Sequence, residues 1–264
     1  MPDDRIDLAD TALILAALDR PRVSLERYRL HLRDLADGVA RQAAKHENDT
    51  NTLDSRAAAL LAVMASEYGY RGDQLTYDDL QNANLMRVID RRKGLPVALG
   101  ILYIHAARAQ GWPAYGINFP AHFLIALDHG GSRLVLDPFA GRRLADANEL
   151  RALRKTVAGK SAELSPQHSM PLSNRSVLLR LQNNIKARLA GQGRNDQAAA
   201  VIDRMLLFSP GEIEMWREAG TLHSLAGNLR AAQAAFEHYV TLTTDAAARQ
   251  DTIELLKALR QRLN

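Results

Sequence analysis

The sequence predicts an α+β protein in two parts: a mixed domain, with a helical N-terminal portion and a small antiparallel sheet, and then an all-helical C-terminal region. Three observations carry this reading. Apolar residues recur at helical spacing in residues 1–70 and again beyond Glu149. Between these stretches, a segment apolar at nearly every position is followed by three short runs of strand-forming residues. In the last third, the chain repeats on itself at a 34-residue spacing. On these grounds the mixed domain takes residues 1–160, with its helical part in 1–70 and its core in 86–145, and the repeats with a capping helix take 175–264. At 264 residues, 47% hydrophobic and 24% charged, the chain has ordinary globular composition and is too apolar for disorder.

The first helix follows from Leu8, Ala12, Leu13 and Leu15, which share a face. Pro21 is expected to break it, and Ser24 to cap the helix that comes next. A polar interval from His46 to Thr52 reads as a solvated turn rather than a metal site. The run from Leu53 to Tyr68 completes the helical part, and the polar, turn-rich stretch after Arg71 leads into Met86-Arg-Val-Ile-Asp90. From Leu95 to Ala109 the apolar residues are nearly continuous, which marks a helix buried on most of its surface. Pro96 suits its first turn, where a missing N–H costs nothing, and Gly111 with Pro113 ends it. Strands are expected from Ala114 to Asn118, His122 to Asp128 and Arg133 to Asp137, with a hairpin loop at His129-Gly-Gly-Ser132.

In the repeat, Gly193 recurs as Gly227, Ala198 as Ala232 and Ala200 as Ala234, and Ile202 falls at the offset of Phe236. Small residues let paired helices cross closely and large ones fill the gap between pairs, so most of these positions are core. The second copy, about Ile213 to Ala246, carries Trp216, Gly220, Gly227, Ala232 and Phe236 and so resembles a tetratricopeptide repeat (TPR). The first copy, about Leu179 to Glu212, is weaker in its opening helix but has Pro210 near its end. Ala246 to Leu263 reads as a capping helix. The resemblance implies an exposed groove for a protein or peptide partner.

Composition excludes several chemistries. With no cysteine, the chain has no disulfide, thiolate metal site or thiol nucleophile. No apolar run is long enough to span a bilayer and no export signal opens the chain, so the expected place is the cytoplasm. The net charge of +4 is small. Arg87, Arg91, Arg92 and Lys93 form one basic cluster, and Arg142, Arg143, Arg151, Arg154 and Lys155 another. Neither is interleaved with aromatic residues for base stacking, so nucleic acid is not the expected partner. No cofactor or metal is expected.

One constellation points to chemistry: Gly94-Leu-Pro96 opening the buried helix, Phe119-Pro-Ala-His122-Phe123 at a strand start, and Leu134-Val-Leu-Asp137-Pro-Phe139 at a strand end. Helix, strand and strand in that order build a papain-like thiol site. There the nucleophile takes a helix N-terminus, whose dipole and N–H groups lower its pKa, a histidine acts as base, and a carboxylate orients the histidine. If Asp128 pairs with Arg133 across the hairpin, Asp137 lies opposite Leu124 and diagonal to His122 on one face, within reach of a His–Asp bond.

These residues resemble the transglutaminase-like superfamily, and more closely its bacterial SirB-type branch, in which TPR repeats follow a transglutaminase-like domain. The likeness covers nearly the whole chain, including Arg91-Arg-Lys-Gly-Leu-Pro-Val-Ala-Leu-Gly-Ile-Leu-Tyr103, the Pro-Ala-His-Phe and Leu-Asp-Pro-Phe motifs, and the repeats. It implies that the family's catalytic histidine and aspartate fall on His122 and Asp137, and that the cysteine's place is taken by Pro96. No Ser, Thr or Cys lies between Leu95 and Gly111 to replace it. Retention of His122 and Asp137 as a buried hydrogen-bonded pair that joins two strands is one reading; a ligand pocket or residual catalysis are the others. His105, Tyr103 and Trp112 read as core. The function expected is that of a pseudoenzyme with a regulatory or protein-binding role through its repeats. The alternative is a hydrolase acting on amide bonds through the His122–Asp137 pair without a cysteine. The oligomeric state stays open.

Overall fold

A computed structural model describes residues 2–45, 52–120, 122–159 and 165–263. The polar interval read as a turn at His46 lies outside the described residues. The chain divides into two compact units, Met1–Leu178 and Leu179–Asn264.

Helix α1 (Leu8–Ala17) opens on Asp7, whose carboxylate accepts the Asp10 amide at 2.9 Å. Helix α2 (Glu26–Ala44) opens one residue later than expected. Leu25 already has helical dihedrals and takes the cap position, while Ser24 Oγ accepts the Glu26 amide at 3.2 Å from one residue outside. Helix α3 (Leu53–Leu61) starts on a capping box between Thr52 and Ser55 and widens into a π turn over Ala62–Glu67. There Tyr68 N–H donates to the Val63 carbonyl, five residues back, at 2.9 Å.

The two-residue strand β1 (Arg71–Gly72), helix α4 (Leu85–Arg91) and the two-residue strand β2 (Lys93–Gly94) precede helix α5 (Pro96–Arg108), and β1 and β2 pair in parallel. In α5 every residue except His105 and Arg108 is buried, as the continuous apolar run requires. Four strands follow: β3 (Ala114–Ile117), β4 (Leu124–His129), β5 (Ser132–Asp137) and β6 (Arg142–Leu144), antiparallel in the order β3-β4-β5-β6. Asp128 pairs with Arg133, the register the hairpin argument requires. Gly130 and Gly131 alone form the loop, with φ of +57° and +78°, the left-handed pair that a tight two-residue hairpin turn demands. His122 precedes β4 rather than beginning it. β6 was not expected, because its three residues are too few to show alternation.

Gly100 sets how closely α5 meets the sheet. A Cβ there would stand 2.4 Å from the Phe123 ring and 3.3 Å from Ile125, so the glycine permits a contact that alanine would push apart. On another part of the sheet Ile117, Phe119, Leu124, Ala126 and Leu144 form a buried cluster with Leu150 and Leu153. These leucines belong to helix α6 (Ala147–Ala158), whose N-terminus Asp146 caps by accepting the Asn148 and Glu149 amides.

The boundary between the units falls within helix α7 (Asn174–Gly191), after which come α8 (Asn195–Phe208), α9 (Ile213–Leu225), α10 (Leu229–Leu242) and α11 (Ala246–Leu263). The repeat is visible in the backbone. Gly193 and Gly227 both take positive φ, at +72° and +78°, after α7 and α9. In both turns the next residue donates five residues back at 2.9 Å, Arg194 to Leu189 and Asn228 to His223. Gly220 admits Phe236, whose ring would stand 2.5 Å from a Cβ at that position. Phe236 then packs with Ala232, Leu256 and Leu259.

Candidate active site

Asp137 ends β5 and is almost fully buried. Its Oδ1 accepts the amides of Phe139 at 2.9 Å and Ala140 at 3.1 Å, which closes the turn after the strand. Its Oδ2 lies 3.0 Å from His122 Nε2, with the two side chains 6% and 13% exposed. One carboxylate therefore fixes a turn and a ring together. Burial pushes Asp137 up, but the hydrogen bond and charge of His122 and the two amides outweigh it and hold the carboxyl below its ordinary value. An ionised Asp137 can only accept, so Nε2 carries the hydrogen of this bond and the carboxylate fixes the orientation of the His122 ring.

A short series of contacts joins this pair to the start of α5. The Phe139 ring stands edge-on to His122 at 6.2 Å between centroids and to Tyr77 at 5.9 Å. Phe139 lies so close to Gly72 that a Cβ there would be 2.4 Å from the ring, and its carbonyl accepts the Gly72 amide at 2.9 Å. Gly72 in turn pairs with Gly94, two residues before Pro96. Pro96 is the first residue of α5, and Leu95, the cap, offers no side-chain hydrogen bond. The pattern Leu-Asp-Pro-Phe marked Phe139 in the sequence, but nothing local showed that Gly72 would receive its ring.

The other candidates are tied into structure. His105 Nε2 is 3.2 Å from the Leu32 carbonyl, Tyr103 is fully buried, and Trp112 is buried with the Arg56 guanidinium 5.4 Å from its ring. In the first basic cluster, Arg91 donates to Asp73 at 2.8 Å and to Asn82 at 2.9 Å. In the second, Arg142 pairs with Glu149 at 3.1 Å and Arg143 with Asp54. Among the described residues no group of three His, Cys, Asp or Glu side chains could hold a metal ion, and no helix is long and apolar enough to cross a membrane.

Arg92 is the one non-glycine residue with positive φ among the described residues, at +58°. Its Nη1 meets His31 Nε2 at 2.6 Å and the Tyr70 hydroxyl, and its guanidinium lies over the rings of Tyr68 and Tyr70. Burial, reinforced by the Arg92 charge, lowers His31 to about 4. The unfolded chain, with an ordinary histidine near 6.5, therefore binds the proton more readily. The stability this cluster gives is complete above that value and is lost as pH falls toward 4. His31→Gln is expected to flatten the stability profile between these limits, as measured by urea unfolding at stepped pH.

The fold and the helix–histidine–aspartate order define a transglutaminase-like domain followed by tetratricopeptide repeats. The sequence profile of the transglutaminase-like superfamily matches residues 26–183, and that of the tetratricopeptide repeat matches 185–261. The chain belongs to the transglutaminase-like superfamily. Within it, the chain is 30% identical over 243 residues to a UPF0162 protein of Xylella fastidiosa, covering 91% of this chain and 85% of that one. A UPF0162 protein of Vibrio cholerae is 32% identical over 221 residues, 83% of this chain and 80% of that one. The chain is thus a member of this bacterial family, the SirB-type branch that the motifs suggested. A shorter stretch of 81 residues is 32% identical to F-box only protein 21 of Homo sapiens, 31% of this chain and 13% of that one.

Proposed function

We propose that this protein is a noncatalytic member of its superfamily that acts in the cytoplasm as a regulatory or protein-binding module through its repeats. One observation carries the reading. The residue that opens α5, joined to the His122–Asp137 pair through Gly94, Gly72 and Phe139, is Pro96, which has neither a thiol nor a hydroxyl to activate. The chain has no cysteine at all, and α5 has no serine or threonine. Without a group to form an acyl intermediate, the pair keeps its structural duties while covalent catalysis is lost.

Tetratricopeptide repeats generally bind protein segments, and the repeat unit exposes Leu225 and Leu255, at 64% and 45%. The full chain, used as bait in a lysate of its own cells, is expected to retain a specific protein. The double variant Leu225→Asp, Leu255→Asp, with unchanged circular dichroism, is expected to lose it. Recovery of no partner, or equal recovery by the variant, contradicts the proposal. So does an amide-hydrolysing activity of the native chain that His122→Ala abolishes, which would establish the hydrolase reading instead.

A further inference from the structure

Two segments far apart in the chain meet beside the β3 edge of the sheet. Residues 170–172 run along that edge: Asn118 N–H donates to the Met170 carbonyl at 3.0 Å, Leu172 N–H donates to the Gly116 carbonyl at 2.8 Å, and Pro171 stands opposite Ile117. Proline has no N–H to give, so this strap closes the edge with two backbone bonds, too few to hold so short a strand by themselves. Its hold has to come from its ends. On one side Arg133 donates to the Ser169 carbonyl at 3.1 Å. On the other the strap runs into α7, where residues 3–6 meet it.

Asp3 accepts the first two amides of α7: Asn174 N–H donates to Oδ2 and Arg175 N–H to Oδ1, each at 2.9 Å. A carboxylate 171 residues away thus supplies the negative charge that a helix N-terminus attracts. The local cap, Ser173, is left with the Ser176 amide, which donates to its Oγ at 3.0 Å. Asn174, itself buried, binds the same segment a second time. Its Nδ2 donates to the carbonyls of Asp3 and Ile6, both at 3.2 Å, and its Oδ1 accepts Arg108 Nη1 at 2.8 Å. Arg108 Nε donates in turn to the carbonyl of Ala114, the first residue of β3, at 2.8 Å. One network therefore ties residues 3–6 to the start of α7 and the start of β3.

We infer that residues 3–6 are a clasp that locks the strap onto β3, so that the edge opens as a unit when Asp3 lets go. Opening bares the Gly116 carbonyl and the Asn118 amide, and an edge of this kind accepts an extended segment of another chain. The clasp makes strand addition at β3 conditional, a control on binding that uses neither the repeats nor the His122–Asp137 pair.

Hydrogen exchange of the full chain, read amide by amide by NMR, tests the coupling. Asp3→Ala is expected to speed exchange of the Asn118 and Leu172 amides by about tenfold, the factor that losing a helix cap carries, while the amides between β4 and β5 keep their protection. Asp3→Asn retains one oxygen for the two α7 amides, so a smaller increase is expected at the same positions. Ser173→Ala removes the local cap and leaves the clasp, so the Asn118 and Leu172 amides should exchange as they do in the native chain. Strap amides unmoved by Asp3→Ala, or loosened as much by Ser173→Ala, overturn the proposal. So does a loss of protection in the Asp3 variants that is equal across β3, β4 and β5, which makes residues 3–6 general support for the unit.

Discussion

Asp137→Ala is expected to lower the unfolding free energy of the transglutaminase-like unit by about 3 kcal/mol, at the low end of the cost of removing one partner from a buried pair. Three donors lose their acceptor at once: the Phe139 amide, the Ala140 amide and His122 Nε2. Each buried donor left without a partner costs roughly 1–3 kcal/mol, and partial rearrangement of the turn toward water keeps the sum near the lower end. Asp137→Asn keeps an oxygen for the amides but loses the charge and the bond to His122, against whose Nε2 it places an NH2 donor, so a smaller loss of about 1–2 kcal/mol is expected. The gap between the two variants in urea unfolding measures the turn's share.

The pH profile separates this carboxylate from His31. Asp137 titrates below its ordinary value when folded, so its contribution is complete above about pH 4 and is lost as pH falls through the lower folded value. His31 acts higher, between about 6.5 and 4. A native profile that loses stability in two stages, with Asp137→Ala removing only the lower one, is the expected result.

The parts of the fold legible in the sequence are those whose cause is local. The apolar run of α5 and the turn glycines Gly130 and Gly131 specify their own surroundings, and the 34-residue repeat puts Gly193 and Gly227 into the same turn. The hairpin register followed, because a two-residue glycine loop allows few alternatives. Elements fixed by distant partners were not legible. Two-residue strands such as β1 and β2 have no periodicity, and they exist because Gly72 and Gly94 meet across the fold. The left-handed Arg92 carries no signal of its own, since it is held by His31, which is 61 residues away. The same division runs through the candidate site. His122 and Asp137 could be named from their motifs, while the Phe139 contact with Gly72 needed the fold.

The second large effect is expected at the helix start. Pro96→Cys places a thiol at the first position of α5, in a chain that has no other cysteine to confuse the signal. The fold should tolerate the change, since the first position of a helix needs no particular side chain and its N–H has no intrahelical partner in any case. Two effects oppose each other at that sulfur. Burial disfavours the thiolate, while the helix N-terminus and an imidazolium at His122 favour it. On the proposed reading, in which the helix start and His122 share one thiol site, the second pair wins and the thiolate forms well below the free-cysteine value of about 8.5. The thiolate's ultraviolet absorbance reports this without a reagent having to reach a buried site.

That titration, carried out on Pro96→Cys with and without His122→Ala, tests most directly whether this is an active-site frame that has lost its nucleophile. The expected result is a thiol that titrates near or below neutrality and returns to about 8.5 or higher when His122 is removed. A thiol that titrates at or above the ordinary value in both proteins would contradict it, and would make His122 and Asp137 a structural pair unrelated to the helix that Pro96 begins.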